Sequence, residues 1–188
     1  MSSHPWLAPQ FGVVATTITL ALVAKTVFHK GASQFGLLTS AFAFGSLIGA
    51  LVSARRSAPT PRRMLASGVV FGVLEVVVGL APTFTSMAVL LVPTGAAVLT
   101  FTTTTNALVQ LGSDAAVRGR VMSLYVLVFL GGTPVGAPLI GVVAEHFGPR
   151  ASLTIGGAVC AVSAVVAAAL LVPRQRTMYR GALTRITL

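Results

Sequence analysis

The charges of this chain are few and confined to short stretches, and the gaps between them are long. Thirteen Lys and Arg and three Asp and Glu are spread over 188 residues. Residues 1–24, 31–54, 121–144 and 151–173 contain no charged side chain, and residues 64–113 contain only Glu75. A helix crossing a hydrocarbon core of about 30 Å needs roughly 20 mostly apolar residues. Four windows each accommodate one such helix. The long fifth window accommodates two, because Ala81-Pro82-Thr83-Phe84-Thr85-Ser86 supplies a proline and small polar residues where a turn is needed. The runs lack the strict alternation of barrel strands, so the expectation is an all-α integral membrane protein with six helices, at about 9–28, 32–54, 64–81, 86–111, 121–144 and 151–172. Residues 1–8 read as a segment before the bundle and residues 173–188 as a basic tail.

An even number of crossings places both termini on one side. Ten arginines (55, 56, 62, 63, 118, 120, 174, 176, 180 and 185) then share that side, against Lys25, Lys30 and Arg150 on the other. The positive-inside rule makes the arginine-rich side cytoplasmic. The net charge of +10 is in this reading a topology signal. Its partner is the lipid bilayer, with an anionic inner leaflet, and not nucleic acid, whose binders are basic but polar. The first segment does not read as a secretory signal, since Met1-Ser2-Ser3-His4 carries no Lys or Arg and no clear cleavage site follows.

Charged residues make up 9% of the chain against about 25% in a soluble domain. That deficit excludes a soluble enzyme, and a single Cys, Cys160, excludes a disulfide-stapled secreted fold. Intramembrane enzyme chemistry has little support. Ser67-Gly68 lacks the preceding glycine of a rhomboid-type nucleophile turn, and His4, His29 and His146 lie at helix ends. No phosphate loop, metal cluster or cofactor motif is present.

Glycine and proline mark the helix contacts. Gly45 and Gly49, Gly68 and Gly72, and Gly132 and Gly136 are each four apart, which allows close helix approach. The fifth helix adds Gly131-Gly132-Thr133-Pro134-Val135-Gly136-Ala137-Pro138, a run that permits a bend. The second and fifth helices both end on Leu-Ile-Gly, at 47–49 and 139–141. They run in opposite senses, as an inverted three-plus-three repeat requires.

Polar residues inside the spans are the functional candidates. Glu75 is the one acid within a span, and reads either as a proton site or as a structural group. Thr102, Asn106 and Gln110 are spaced i, i+4, i+8 and form one polar stripe on the fourth helix. That stripe faces either a cavity or a neighbouring helix. Thr16, with Thr17 and Thr19, is a weaker version on the first helix. Asp114 and Arg118 are four apart, close to Arg120, and pair if the helix starts early enough.

His4-Pro5-Trp6-Leu7, Phe35-Gly36-Leu37-Leu38 with the glycine-rich run to Gly49, Asp114 with Arg118-Gly119-Arg120-Val121-Met122-Ser123, and Gly141-Val142-Val143-Ala144-Glu145-His146-Phe147-Gly148-Pro149-Arg150 occur in that order. Together they resemble the C-terminal six-helix half of a major facilitator superfamily transporter, most closely the bacterial exporters of enterobactin-exporter type. The chain departs from the family's loop motifs at Ser53, where an acid would stand, at His146 and at Pro149. The resemblance implies half of a twelve-helix fold, with residues 1–8 as the end of the central linker. It implies proton-coupled efflux of a small organic molecule such as a drug or siderophore, in the bacterial cytoplasmic membrane. Alternating access would require a second six-helix bundle, from another chain or a second copy. The other reading is a truncated half that does not transport. The resemblance further implies that the fourth helix, with Thr102, Asn106 and Gln110, lines the central cavity, and that the third, with Glu75, is a peripheral support. It makes Asp114, Arg118 and Arg120 an inner ion-pair latch, with Glu145 and Arg150 its outer equivalent.

Overall fold

The computed structural model describes residues 16, 19, 20, 22–28, 31–55, 58–114 and 116–184, with the side chains at 25, 26, 128–135 and 170–184 outside that description. The described residues form six helical elements and no strand. The first, α1, includes Thr16, Thr19, Leu20 and Leu22 and becomes π-helical over Val23–Val27, where the Phe28 amide reaches back five residues to the Val23 carbonyl. The others are α2 (Ala32–Ala54), α3 (Pro61–Gly79), α4 (Phe84–Leu111), α5 (Arg118–Phe147) and α6 (Pro149–Thr184).

Local chemistry sets the boundaries. Pro61 occupies the first turn of α3, where its missing N–H has no intrahelical partner to lose. The expected break near Pro82 is present. Thr83 caps α4 in a reciprocal box, accepting from the Ser86 amide at 3.2 Å while Ser86 Oγ accepts from the Thr83 amide at 3.2 Å. Gly148 separates α5 from α6 with φ 86° and ψ 157°, a conformation open in practice only to glycine, and Pro149 then begins α6. The glycine- and proline-rich run 131–138 lies within α5, which is helical throughout. α6 continues past residue 172 to Thr184, so most of the stretch read as a tail is helical.

The two triplets α1–α3 and α4–α6 interlock: α2 packs along α4, α3 along α6, and α3 also meets α4. Glycine makes both long pairings possible. A Cβ on Gly45 would overlap the Val92 carbonyl, one on Gly49 would lie 2.5 Å from the Ala96 carbonyl, and one on Gly95 would strike the Phe42 carbonyl. In the α3–α6 pair, a Cβ on Gly72 would lie 2.5 Å from the Ala161 amide, and one on Gly157 would lie 2.7 Å from the Gly72 carbonyl. Backbones in contact at these distances leave no room for any side chain.

The distribution of polarity is inverted relative to a soluble bundle. Leu37, Phe44, Leu47 and Leu51 of α2 are all more than half exposed, whereas Thr16, Thr19, Glu75, Thr94, Thr105 and Ser152 are buried. A continuous exposed apolar surface of this kind needs a lipid or protein covering. By length and composition α2, α4 and Pro149–Ala169 of α6 are long and apolar enough to cross a membrane. α3, with 19 residues, carries Arg62, Arg63 and Glu75.

Candidate functional site

The Glu75 carboxyl is a fully buried ionisable group. It lies where α3 meets α1 and α6, with no exposed surface. Thr16 Oγ1 donates to Glu75 Oε1 at 2.6 Å. Glu75 Oε2 is buried and has no hydrogen-bond partner among the described residues. One turn further along α1, Thr19 Oγ1 and Ser152 Oγ of α6 are 3.1 Å apart, and Ser152 Oγ also donates to the Pro149 carbonyl at 2.8 Å. On the opposite side of Glu75 along α6, the buried Cys160 thiol faces the Gly68 carbonyl at 3.8 Å. Gly157 lies against Glu75 itself, since a Cβ there would be 3.0 Å from Glu75 Cβ. Small residues on α6 therefore admit the carboxyl, and α1 supplies its hydrogen bond. Placing a carboxyl in such a setting costs several kcal/mol unless it is neutral or paired.

The second polar region is on α4. Gln110 Nε2 donates to Asn106 Oδ1 at 2.6 Å, so two members of the stripe are joined. Thr102 donates instead to its own helix, to the Val98 carbonyl at 3.0 Å. Thr102 and Asn106 are half-buried and Gln110 is exposed. Thr100, Thr103 and Thr104 likewise bond carbonyls one turn earlier, on the face toward α2. Their hydroxyl protons are committed, which leaves the oxygens as acceptors.

A family model described as a transmembrane secretion effector, of major facilitator type, matches residues 7–184. The chain belongs to that family. No curated protein and no solved structure matches the chain. Its apolar helices and its family make it a membrane-embedded chain of transporter type.

The remaining candidates fall at the two ends of the bundle. Asp114 and Arg118 form no ion pair. α5 begins only at Arg118, so Asp114 lies in the preceding turn, where its carbonyl accepts from the Arg118 amide at 2.9 Å. The Arg118 guanidinium donates to the Ser113 carbonyl at 3.4 Å, and Arg120 is exposed. At the other end, the Arg150 guanidinium lies over the Phe28 ring, 5.5 Å from its centroid, and Phe28 meets Phe84 edge-on at 5.8 Å. This aromatic contact ties α6, α1 and the start of α4 together, while Glu145 is exposed on α5. Gly136 is buried and Pro138 exposed; the surroundings of Gly132 and Pro134 lie outside the described residues.

The structure joins two residues that the sequence kept apart. Thr16, read as part of a substrate pathway, is buried against Glu75. Sequence reasoning missed Gly95, Gly157 and Ser46, whose hydroxyl bridges α2 to the Gly95 carbonyl of α4 at 3.3 Å. It also missed that Ser53 Oγ is buried without a partner among the described residues. Only the four-residue spacing of Gly45 and Gly49 pointed to the α2–α4 contact, and nothing in the chain pointed to its partner helix.

Proposed function

We propose that this chain is one bundle of a proton-coupled secondary exporter of a small organic molecule, of the drug or siderophore class. It works in a bacterial cytoplasmic membrane, with both termini in the cytoplasm. The membrane-transport part of the reading rests on the family to which the chain belongs. The observation that carries coupling is the contact between Thr16 and Glu75. Glu75 is an ionisable group enclosed by three helices, facing the Thr16 hydroxyl of α1 and small residues of α6. No cation faces it among the described residues, so the neutral, proton-bearing carboxyl is the form this setting accommodates.

Releasing that proton leaves an anion that α3 and α6 cannot pair. The single Thr16 hydrogen bond strengthens but does not offset the burial of a charge, so the anion favours a wetter setting and α1 moves relative to the α3–α6 pair. Uptake of a proton from the outside restores the closed packing. A proton thus enters as substrate leaves, with the α4 stripe of Thr102, Asn106 and Gln110 as the surface that substrate meets. Rocking of the whole bundle requires a second six-helix bundle as its counterpart.

The test is efflux of a cationic dye from proteoliposomes holding this chain together with a second bundle. An imposed proton gradient should drive efflux, and Glu75→Gln should remove the dependence on the gradient. Gradient-driven efflux that survives Glu75→Gln would refute coupling through Glu75. No flux with or without the second bundle would leave a half-transporter that does not transport.

A further inference from the structure

The α2–α4 pair is closed along most of its length and open at its arginine-rich end. Gly45 and Gly49 hold the two backbones together. Beyond them the helices part around a cavity of about 350 Å³, walled by Ala50, Ser53 and Ala54 of α2, Arg63 of α3, and Thr103 and Thr104 of α4. That volume is within the range of small-ligand sites, roughly 300–1,000 Å³. The alanines keep it from being filled. The boundary of the uncharged window runs through it, because Arg55 follows directly on Ala54.

The cavity offers few free hydrogen-bonding groups. The threonine protons are spent on α4 carbonyls. Ser53 Oγ is buried and has no partner among the described residues, so it is an uncommitted donor. Arg63 uses one N–H on the Ala58 carbonyl at 3.0 Å and keeps its other donors. Arg55 and Arg62 are exposed at the same end. The acid at this end, Asp114, lies past the end of α4 and does not line the cavity. The set is a cation and, in the wall, a buried hydroxyl with no partner among the described residues, around a small, largely apolar chamber. It suits an anion that has an apolar continuation.

We infer that this cavity binds the phosphate headgroup of an anionic membrane lipid. Phosphate accepts from Arg63 and Ser53, a charge-assisted pairing that arginine geometry favours. The acyl chains then run along the outer face of α2, where Leu47 and Leu51 are 56% and 57% exposed. This continuity with an apolar surface favours a lipid over a free phosphate ion, which would leave the alanine walls bare.

The test is native mass spectrometry of the full chain released from detergent after equilibration with phosphatidylglycerol, with phosphatidylcholine, or with phosphatidylglycerol plus millimolar inorganic phosphate. The expected result is one phosphatidylglycerol retained per chain, no matching retention of phosphatidylcholine, and no displacement by phosphate. Arg63→Gln should lower retention about tenfold, the scale of one charge-assisted hydrogen bond. Thr103→Leu fills the cavity from an exposed position on α4 while keeping every charge, and should lower retention similarly. If Arg63→Gln does not fold, Thr103→Leu decides. Equal retention of both lipids, displacement by phosphate, or undiminished retention in Thr103→Leu would each overturn the inference.

Discussion

Thr16 on α1 donates a 2.6 Å hydrogen bond to Glu75 on α3, across 59 residues of chain and with both side chains buried. Removing either partner has a distinct consequence. Thr16→Val leaves Glu75 Oε1 as well as Oε2 unpaired and should destabilise the bundle by about 1–3 kcal/mol. Glu75→Gln keeps an acceptor for Thr16 and a neutral side chain, and should stay within about 1 kcal/mol of the parent protein. Thermal unfolding in detergent compares the two. Equal losses would show that the Thr16 bond contributes nothing specific.

Gly45 and Gly36 lie on the same helix in opposite situations. A methyl group at Gly45 would overlap the Val92 carbonyl, whereas one at Gly36 would meet nothing within 4 Å. Gly45→Ala should therefore cost about 1–3 kcal/mol by forcing α2 from α4. Gly36→Ala should be neutral or slightly stabilising, by up to about 1 kcal/mol, because alanine is the better helix former. Crosslinking between Cys pairs placed on α2 and α4 would report the separation directly.

Gly148 isolates a backbone effect from a packing effect. Its φ is 86°, and a Cβ there would meet nothing within 4 Å. Gly148→Ala should cost about 1–3 kcal/mol through the dihedral alone. A melting temperature unchanged in Gly148→Ala would mean that the α5–α6 corner rearranges freely.

Asn106 and Gln110 share a 2.6 Å hydrogen bond on a face of α4 that is partly exposed. Asn106→Leu removes one such membrane hydrogen bond, worth about 1 kcal/mol or less. The protein should insert and fold while its efflux profile across substrates changes. An unchanged profile would reduce the stripe to helix packing.

Orientation can be read with cysteine labelling, because the native Cys160 is fully buried and contributes no background. Ala116, in the turn before α5, and His146, near its far end, are both exposed. In intact cells an impermeant maleimide should label His146→Cys and not Ala116→Cys. The reverse pattern would invert the proposed topology.

Where the helices run and what kind of solvent they need follow from local residue patterns. The helix expected at 32–54 coincides with α2, which follows Gly31 in extended backbone and ends at Arg55, the first charge after the window. Elsewhere the charges marked the edge of the apolar region and not the end of the helix: α3 takes in Arg62 and Arg63, and α5 takes in Arg118, Arg120 and Glu145. A charged residue beyond the hydrocarbon core still makes a good helix turn, so the helix continues past the window. Caps, proline positions and charge spacing act within a few residues, and are therefore legible in one dimension.

Which faces meet is settled by packing between segments. That Gly45 and Gly49 approach α4 rather than another helix, that Glu75 finds Thr16, and that Ser53 is enclosed with no partner all depend on helices distant in the chain. Glycine spacing announces that some backbone will come close without specifying which one. A lone buried acid announces that something must offset its burial without naming the donor. Those choices are made by fitting six helices together at once, and the fit resides in side-chain shapes on separate segments rather than in any local run of residues.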